Sequence, residues 1–496
     1  MEFFAQEGGF WLPRRPERVV HGSVAYQEDG ITLDLASSLR GPNSLPSGGT
    51  GGSPVFAAEP VIHGYLRDGR EVTLYQARGL SWPVENVQET WRADFLFNGG
   101  LIRANRFVHV QVVFDVLMSW TQPPGIATGE IGHNDVAIDA RRVTLDQAAL
   151  GDKTKVRLCT GVDGRWDHAS VHLDQWCALE VTGLARKAKT IMSVLNDWVR
   201  PLQDLLVVSL GRPVRIDHLA VRPRGQSARA PLLEVSCQLV QPRIATPARA
   251  IDVESYTAPT LLTYRNSPVP FARLIPAWFA FQERFPDVIT DLCGPYYAPF
   301  IYSGHRYAST FQSAEALAHG LFGAKQKTRW EHRARVDAVA KALAAAELDS
   351  DNLDWATKVL QSRNDKPLRE LMEELITKTG GIGAQLIRAA PRLASEAATA
   401  RAGVSHPGAA GPGAIRRYWL GEALVWAVRA HVLAQLGIPM KILSKQVIQM
   451  ASFKDVLTGL RTGDPSPRAG SAPSYRHANC PVNHRTQAAT ARCRNR

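Results

Sequence analysis

Residues 19–35 read VVHGSVAYQEDGITLDL, and this stretch predicts how the first half of the chain folds. Two runs rich in β-branched and other apolar residues, Val19 to Tyr26 and Ile31 to Leu35, flank Glu28-Asp29-Gly30. An Asp-Gly pair tolerates the positive φ that a tight hairpin turn requires. The stretch therefore predicts two antiparallel strands joined by a turn.

A second hairpin of the same kind follows, because Val61 to Leu66 and Val72 to Tyr75 flank Asp68-Gly69. Short apolar runs between turn residues then recur to about residue 275, interrupted by Lys187 to Leu206, where apolar side chains have helical spacing. Residues 1–275 are therefore predicted to form a β-rich domain. Its further predicted strands are Arg92 to Phe97, Phe107 to Phe114, Val136 to Val143, Val156 to Cys159, Cys177 to Val181, Ile216 to Val221 and Leu232 to Val240.

Helical periodicity replaces the strand pattern from about residue 270. Residues 276–450 are predicted to form an all-α bundle, and residues 451–496 a disordered basic tail rich in Arg, Pro, Ser and Ala. The predicted fold class is therefore α+β and multidomain. The predicted helices are Ala277 to Glu283, Ala308 to Phe322, Lys327 to Ala346, Asn352 to Gln361, Lys366 to Lys378, Ala384 to Arg401, Ala414 to Leu436 and Met440 to Met450.

Positive charge is concentrated toward the C-terminal end. The chain has 496 residues and a formal net charge of +12. Residues 1–284 hold 30 basic and 29 acidic side chains, residues 285–450 hold 20 and 15, and residues 451–496 hold 8 and 2. This division favours an anionic partner such as nucleic acid for the helical part. The nearly neutral β-rich domain is expected to recognise something other than a phosphate backbone.

Cysteine usage and hydropathy predict a soluble cytoplasmic protein. The 6 cysteines are dilute and irregularly spaced, unlike a secreted disulfide framework. No run approaches the roughly 18 apolar residues of a membrane span, and the N-terminus has no basic segment ahead of an apolar core. We therefore expect neither a signal peptide nor a membrane partner.

One short element could carry chemistry. Residues 401–408 read RAGVSHPG, which places His406 five residues after Arg401 at a predicted helix end. By spacing alone the pair is weak evidence for a catalytic site, since Arg and His are frequent enough in this chain to give roughly one such pair by chance. Arg401 could simply favour the negative end of the helix dipole, and His406 could be an ordinary loop residue.

The order of several motifs along the chain is more specific. One group resembles the N-terminal domain of ApeA-type anti-phage defence proteins: Gly9 to Pro13, Val20 to Val24, Gly30 to Leu33, Ile62 to Gly64 and Gly69 to Leu74. A later group resembles the start of the HEPN domain that follows in that family: Trp278-Phe279, Pro295 to Phe300 and Phe311 to Leu317. Arg401 and His406 then lie where HEPN ribonucleases carry their Arg-x4-6-His motif.

This resemblance implies an all-helical, usually dimeric domain that cleaves RNA without a metal. It assigns catalysis to Arg401 and His406 and a supporting role to Gln312 and Glu315, which lie three residues apart on one helix. No cofactor and no metal are expected. Ala402 departs from the family pattern, in which the residue after the arginine is commonly polar. Glu315 is as readily explained as a solvated or ion-paired helix residue.

The predicted function is metal-independent RNA cleavage in abortive-infection defence, directed at tRNA or another structured RNA. A phage-derived trigger is expected at the β-rich domain, and a homodimer or higher homo-oligomer would pair two motifs. Two alternatives stay open. The bundle could be a degenerate HEPN scaffold that binds nucleic acid or protein without cleaving, or it could act with a partner nucleotidyltransferase.

Four zinc-type ligands occur in the tail, at His477, Cys480, His484 and Cys493. Their spacing matches no common structural zinc site, and the surrounding residues offer little apolar surface to pack. We therefore assign no metal to them.

Overall fold

Strands fill the first half of the structure and helices the second. The computed structural model describes residues 4–40, 58–81, 89–103, 105–123, 142–151, 153–167, 170–184, 190–238, 260–298, 301–323, 325–346, 349–362, 364–405 and 411–463. Strands lie between residues 4 and 237, and the bundle helices lie between residues 271 and 462. This arrangement confirms the predicted α+β class, with a β-rich domain followed by a helical bundle. No helix among the described residues is long and apolar enough to cross a membrane.

The first six strands close into a barrel. They are paired in the order β4-β1-β2-β3-β6-β5, and a further β4–β5 pairing completes the ring. Both predicted hairpins are confirmed as β2–β3 and β4–β5, with Gly30 and Gly69 at positive φ in their turns. The strands are β1 Phe4–Trp11, β2 Val20–Gln27, β3 Gly30–Leu35, β4 Ala58–Leu66, β5 Glu71–Ser81 and β6 Glu89–Ala93.

Seven further strands form a sheet that continues from β5. Residues 78–81 of β5 pair with β6 of the barrel, whereas residues 72–75 pair with β7 of the second sheet. Between the two pairings Gln76 has a φ of 56°, a conformation found at β-bulges. In spatial order the strands are β7 Phe95–Asn98, β13 Leu233–Cys237, β12 Ile216–Pro223, β8 Phe107–Phe114, β11 Ser170–Thr182, β10 Thr154–Asp167 and β9 Val143–Leu150.

One predicted strand is divided, one lies largely outside the described residues, and one observed strand was not predicted. The predicted strand Arg92 to Phe97 is divided at Asp94, because its two parts pair in different sheets. The predicted strand Val136 to Val143 lies outside the described residues except at its end, where β9 begins. Strand β1 has no counterpart among the predicted strands, since Gly8 and Gly9 weaken its propensity.

The helix predicted over Lys187 to Leu206 is present but is composite. It consists of α2 Ile191–Val194, a π-helical turn Leu195–Val199 and α3 Arg200–Leu210. Thr190 caps its start, because its hydroxyl accepts a hydrogen bond from the Ser193 N–H at 3.2 Å. A one-turn helix, α1 Leu117–Thr121, precedes it. Every side chain of α3 from Pro201 to Leu210 is buried.

The helical bundle follows the predicted order with local corrections. The predicted helix Ala384 to Arg401 is two helices, because Pro391 cannot continue the first. The helices are α4 Phe271–Arg284, α5 Pro286–Tyr297, α6 Ser303–Phe322, α7 Arg329–Ala345, α8 Ser350–Ser362, α9 Leu368–Thr377, α10 Gly381–Ala389, α11 Leu393–Ser405, α12 Ala414–Gln435, α13 Met440–Gln449 and α14 Ala451–Thr462.

The predicted boundary between bundle and tail is wrong by about one helix. Helix α14 lies beyond residue 450 and belongs to the bundle. The ring of Phe453 lies 5.6 Å from that of Trp426, and Gly459 packs against Trp419 so closely that no side chain would fit there. Burial of this apolar face explains why the segment is helical. Residues 464–496 of the predicted tail lie outside the described residues.

Helix α3 joins the two halves of the protein through polar as well as apolar contacts. The Trp278 indole N–H donates to the Pro201 carbonyl at 2.7 Å. The buried Arg429 of α12 donates from Nε to the Val208 carbonyl at 2.8 Å and from Nη2 to the Ser209 carbonyl at 3.3 Å. These carbonyls belong to the last turn of α3, where the helix dipole is negative. A guanidinium therefore closes the end of this helix.

Helix α3 also carries a buried carboxyl group, that of Asp204. The Tyr297 hydroxyl of α5 donates to Asp204, and the Arg200 guanidinium lies 4.2 Å from the centre of the Tyr297 ring. Burial raises the pKa of Asp204 to about 7, although the Tyr297 hydroxyl and the Arg200 charge both favour the carboxylate. The β-rich domain and the bundle thus share a titratable group at their junction.

We expect Arg429→Met to lower the free energy of unfolding by about 2 kcal/mol, because two buried carbonyls of α3 lose their donors. Urea denaturation of the full chain measures the change. Arg388→Met, at an exposed position of α10, is the matched control and should be within about 0.5 kcal/mol of wild type. Equal stability of the two variants would show that burying the guanidinium costs as much as its hydrogen bonds contribute.

Asp204 should make stability fall as pH rises. The folded state keeps the proton up to a pKa of about 7, whereas the unfolded chain releases it near the ordinary value of 3.8. Its contribution is therefore complete at acidic pH and is lost between these values, at no more than about 1.4 kcal/mol per pH unit. Asp204→Asn should flatten the curve of unfolding free energy against pH across this window. Asp337→Asn, exposed on α7, should leave the wild-type curve unchanged.

Candidate functional site

Arg401 lies on α11, one turn before the helix ends at Ser405. Its side chain is half-buried. One turn earlier, the Ala397 carbonyl accepts a hydrogen bond from the buried Tyr307 hydroxyl of α6 at 2.6 Å. Tyr307 therefore fixes α11 against α6 close to the predicted catalytic arginine. His406, the second predicted catalytic residue, lies outside the described residues.

Helices α11 and α12 run antiparallel. The Glu396 carboxylate of α11 pairs with Arg416 Nε of α12 at 2.7 Å. Gly411, ahead of α12, lies against Gly403, near the end of α11. The later residues of α11 are thus level with the start of α12. Arg401 consequently lies toward the N-terminal end of α12.

Helices α6 and α12 run parallel. Gly421 of α12 packs against Tyr307 near the start of α6. Near their other ends, the His431 ring of α12 lies 5.6 Å from the Phe322 ring of α6. Helix α11 is therefore antiparallel to both. Arg401 belongs to the end of the bundle at which α6 and α12 begin.

The predicted supporting residues lie in the other direction along the bundle. Gln312 is exposed and Glu315 is half-buried on α6. They follow Tyr307 by five and eight residues, which at 1.5 Å per residue is about 8 and 12 Å toward the C-terminal end of that helix. Within one chain the structure does not bring them beside Arg401. Their supporting role stays a prediction.

A cleft between α6 and α12 opens at the same end as Arg401. Across it the Arg306 guanidinium pairs with the Glu422 carboxylate at 2.7 Å. Burial is the largest single influence and lowers the pKa of the Arg306 guanidinium, but Glu422 together with Tyr296 and Tyr418 raises it overall. The cleft is lined by Ser303, Arg306, Tyr307, Thr310, Arg417, Tyr418, Gly421 and Glu422.

Arg417 is a second arginine at the end of the bundle where Arg401 lies, and no sequence motif indicated it. Its Nε is buried and has no hydrogen-bond acceptor among the described residues. Its neighbour Arg416 is engaged by Glu396 and by the Leu460 carbonyl. The one available signal in the sequence was the Arg416-Arg417 pair at the start of a long helix whose later side chains are mostly apolar. Guanidinium groups bind phosphate oxygens in a planar, charge-assisted geometry, so this end is suited to a phosphodiester.

The second sheet contains a separate buried polar cluster. Arg222 Nη1 lies 3.1 Å from His109 Nδ1, and His109 Nε2 lies 3.9 Å from the buried Glu180 carboxylate, which Arg142 also contacts. Burial, followed by the charges of Arg222 and Arg142, lowers the pKa of His109 to about 4. The imidazole is therefore neutral at physiological pH. Within the described part of the chain, no group of His, Cys, Asp and Glu is arranged to hold a metal ion.

Comparison with known proteins identifies the β-rich half. A family model described as ApeA N-terminal domain 1 matches residues 7–278, which is more than half of the chain. The match covers the barrel, the second sheet and α3, and it ends at Trp278, whose indole bonds to α3. No curated protein and no solved structure matches the chain.

Tyr307→Phe should destabilise the chain by about 1 kcal/mol, because the Ala397 carbonyl loses a buried donor. The same change should increase hydrogen–deuterium exchange in α11, since that helix loses its polar tie to α6. Tyr65→Phe, at a barrel position that is 42% exposed, is the matched control and should change neither measurement. Unaltered exchange in α11 would contradict the positioning role of Tyr307.

Proposed function

We propose that this chain, which belongs to the family of ApeA-type anti-phage defence proteins, halts phage growth by cleaving RNA in its helical bundle. The cleavage is metal-independent, Arg401 and His406 carry it, and the target is tRNA or another structured RNA of the infected cell. The β-rich domain acts as the trigger sensor.

The observation that carries this proposal is the order of parts along one chain. A domain of the ApeA family spans residues 7–278, and an all-α bundle follows it. In that bundle α11 presents Arg401 one turn before its end and leads directly into His406. The net positive charge of residues 285–450, against a nearly neutral β-rich domain, also favours an anionic substrate for the bundle.

The proposed chemistry is attack of the RNA 2′-hydroxyl on its own phosphodiester. A base takes the 2′-OH proton, the 2′-oxygen forms a bond to phosphorus, and the bond to the 5′-oxygen breaks. An acid returns a proton to that oxygen, which leaves a 2′,3′-cyclic phosphate and a 5′-hydroxyl. Histidine titrates near neutrality and serves either proton transfer. Arg401, helped by Arg417, stabilises the charge that develops on the phosphorane.

One chain supplies one His406 and one Arg401, whereas the reaction needs both a base and an acid. A two-fold dimer that faces the two α11 ends across one cleft would supply two of each. This is the expected role of the homodimer or higher homo-oligomer. In such a dimer Gln312 and Glu315 would influence the charge or the orientation of the catalytic residues from a distance. They would not contact Arg401 of their own chain.

His406→Ala and Arg401→Ala should each reduce tRNA cleavage by the purified full chain at least 100-fold, because general acid–base and electrostatic catalysis are each worth that much. Cleavage by wild type should persist in EDTA. Denaturing gels of end-labelled tRNA, with and without lysate from phage-infected cells, measure both effects. Arg388→Ala, exposed on α10, is the matched arginine control and should cleave as wild type does.

Two outcomes would contradict this proposal. Equal cleavage by wild type and His406→Ala would remove the catalytic assignment, and strict dependence on a divalent metal would exclude the His/Arg mechanism. Ala402, which is exposed on α11, favours the non-catalytic alternative because it lacks the polar group common after the motif arginine. Salt-dependent RNA binding without any cleavage product would establish that alternative.

A further inference from the structure

Helices α7 and α8 form a hairpin that stands apart from the bundle core. The hairpin comprises residues 325–365, between the end of α6 and the start of α9. In α7 only His332 and Val336 are buried, and the described side chains of α8 are all exposed or half-buried. At its base the Asn364 amide donates to the Lys327 carbonyl at 2.9 Å. The two helices thus pack on each other and leave their outer faces open.

Each helix presents a large aromatic side chain outward. Trp330 on α7 is 77% exposed, and Trp355 on α8 is 65% exposed. Tryptophan is highly buried on average, and exposed apolar surface of this kind marks interaction sites. Trp330 and Trp355 are therefore the two candidates for contact with a partner, and the charge around each one distinguishes them.

The two helices differ in charge. Residues 325–341 contain six basic and two acidic side chains, whereas residues 349–358 contain three aspartates and one lysine. Arg333, Asp337 and Lys341 follow Trp330 by three, seven and eleven residues, so one face of α7 carries two basic side chains and one acidic side chain beside the indole. The surface around Trp330 is therefore basic, and the helix that carries Trp355 is acidic.

We propose that the Trp330 face of α7 is an RNA-binding surface. Arg333 and Lys341 contact phosphates, and the indole of Trp330 stacks on an unpaired base, the combination that single-stranded nucleic acid requires. This inference rests on the proposed function for its substrate class. Charge complementarity identifies the ligand of this face as RNA, because a basic surface with an exposed aromatic ring fits a polyanion whose bases can stack on that ring.

The position of the hairpin also limits the size of that RNA. The hairpin leaves the bundle at the C-terminal end of α6, and Arg401 lies toward the N-terminal end. Helix α6 has 20 residues and is about 30 Å long. An RNA that reaches both places therefore spans a distance of this order. This favours a folded RNA over a short oligonucleotide as the substrate.

Binding of a fluorescein-labelled tRNA transcript tests the surface. Fluorescence anisotropy is measured with the full chain carrying His406→Ala, so that the probe stays intact. Trp330→Ala should weaken binding about tenfold, since stacking on one base is worth this much. Arg333→Ala with Lys341→Ala should weaken binding and reduce the salt slope by roughly one to two. Melting temperatures confirm that these surface variants are folded.

Matched controls come from the same chain. Trp355→Ala replaces an equally exposed tryptophan on the acidic helix, and Lys441→Ala removes an exposed lysine from α13; both should bind within twofold of the parent. Equal affinity of Trp330→Ala and Trp355→Ala would overturn the proposal. So would a change of oligomer mass in sedimentation without a change of affinity, which would assign the surface to a second copy of the chain. Because binding alone is measured, absence of cleavage by wild type would contradict the proposed function without affecting this comparison.

Discussion

The burial of α3 from Pro201 to Leu210 is the constraint on which the rest of the structure depends. This helix lies between the second sheet and the bundle, and its side chains are buried from Pro201 to Leu210. A helix that is enclosed on all sides must satisfy its polar groups internally, since water cannot reach them. Arg429 satisfies the carbonyls of its last turn, and Tyr297 satisfies Asp204. Residues of the bundle therefore complete a helix that belongs to the β-rich half.

This shared helix gives the two halves a physical means of influencing each other. The apolar residues of the second sheet, α3 and the bundle form one continuous core, whereas the barrel has a separate core of its own. Interiors packed at this density transmit displacement, because they hold few voids that could absorb it. A ligand that moved the second sheet would thus act on α5 and α12 through α3. The barrel, with its separate core, is coupled through β5 and through the hydrogen bond that the Tyr26 hydroxyl of β2 donates to the Cys237 carbonyl of β13.

The basic residues of the two proposed RNA contacts lie at opposite ends of the bundle. Arg401 and Arg417 lie where α6 and α12 begin, and the α7–α8 hairpin leaves where α6 ends. A rigid helix about 30 Å long keeps the two apart. If both proposed contacts bind RNA, they would select a long or folded one, because a small one cannot reach both at once.

The sequence by itself determined the structural class of each half, both barrel hairpins and most helices. It also determined that Arg401 lies near the end of a helix. Turn residues and apolar periodicity suffice for these features, because each depends only on residues that are close together in the sequence. Only the tertiary structure decided barrel closure, the membership of α14 in the bundle and the burial of Arg429. It also decided the separation of Glu315 from Arg401, which follows from the directions of three helices. These features depend on contacts between residues distant in sequence, and local propensity contains no information about them.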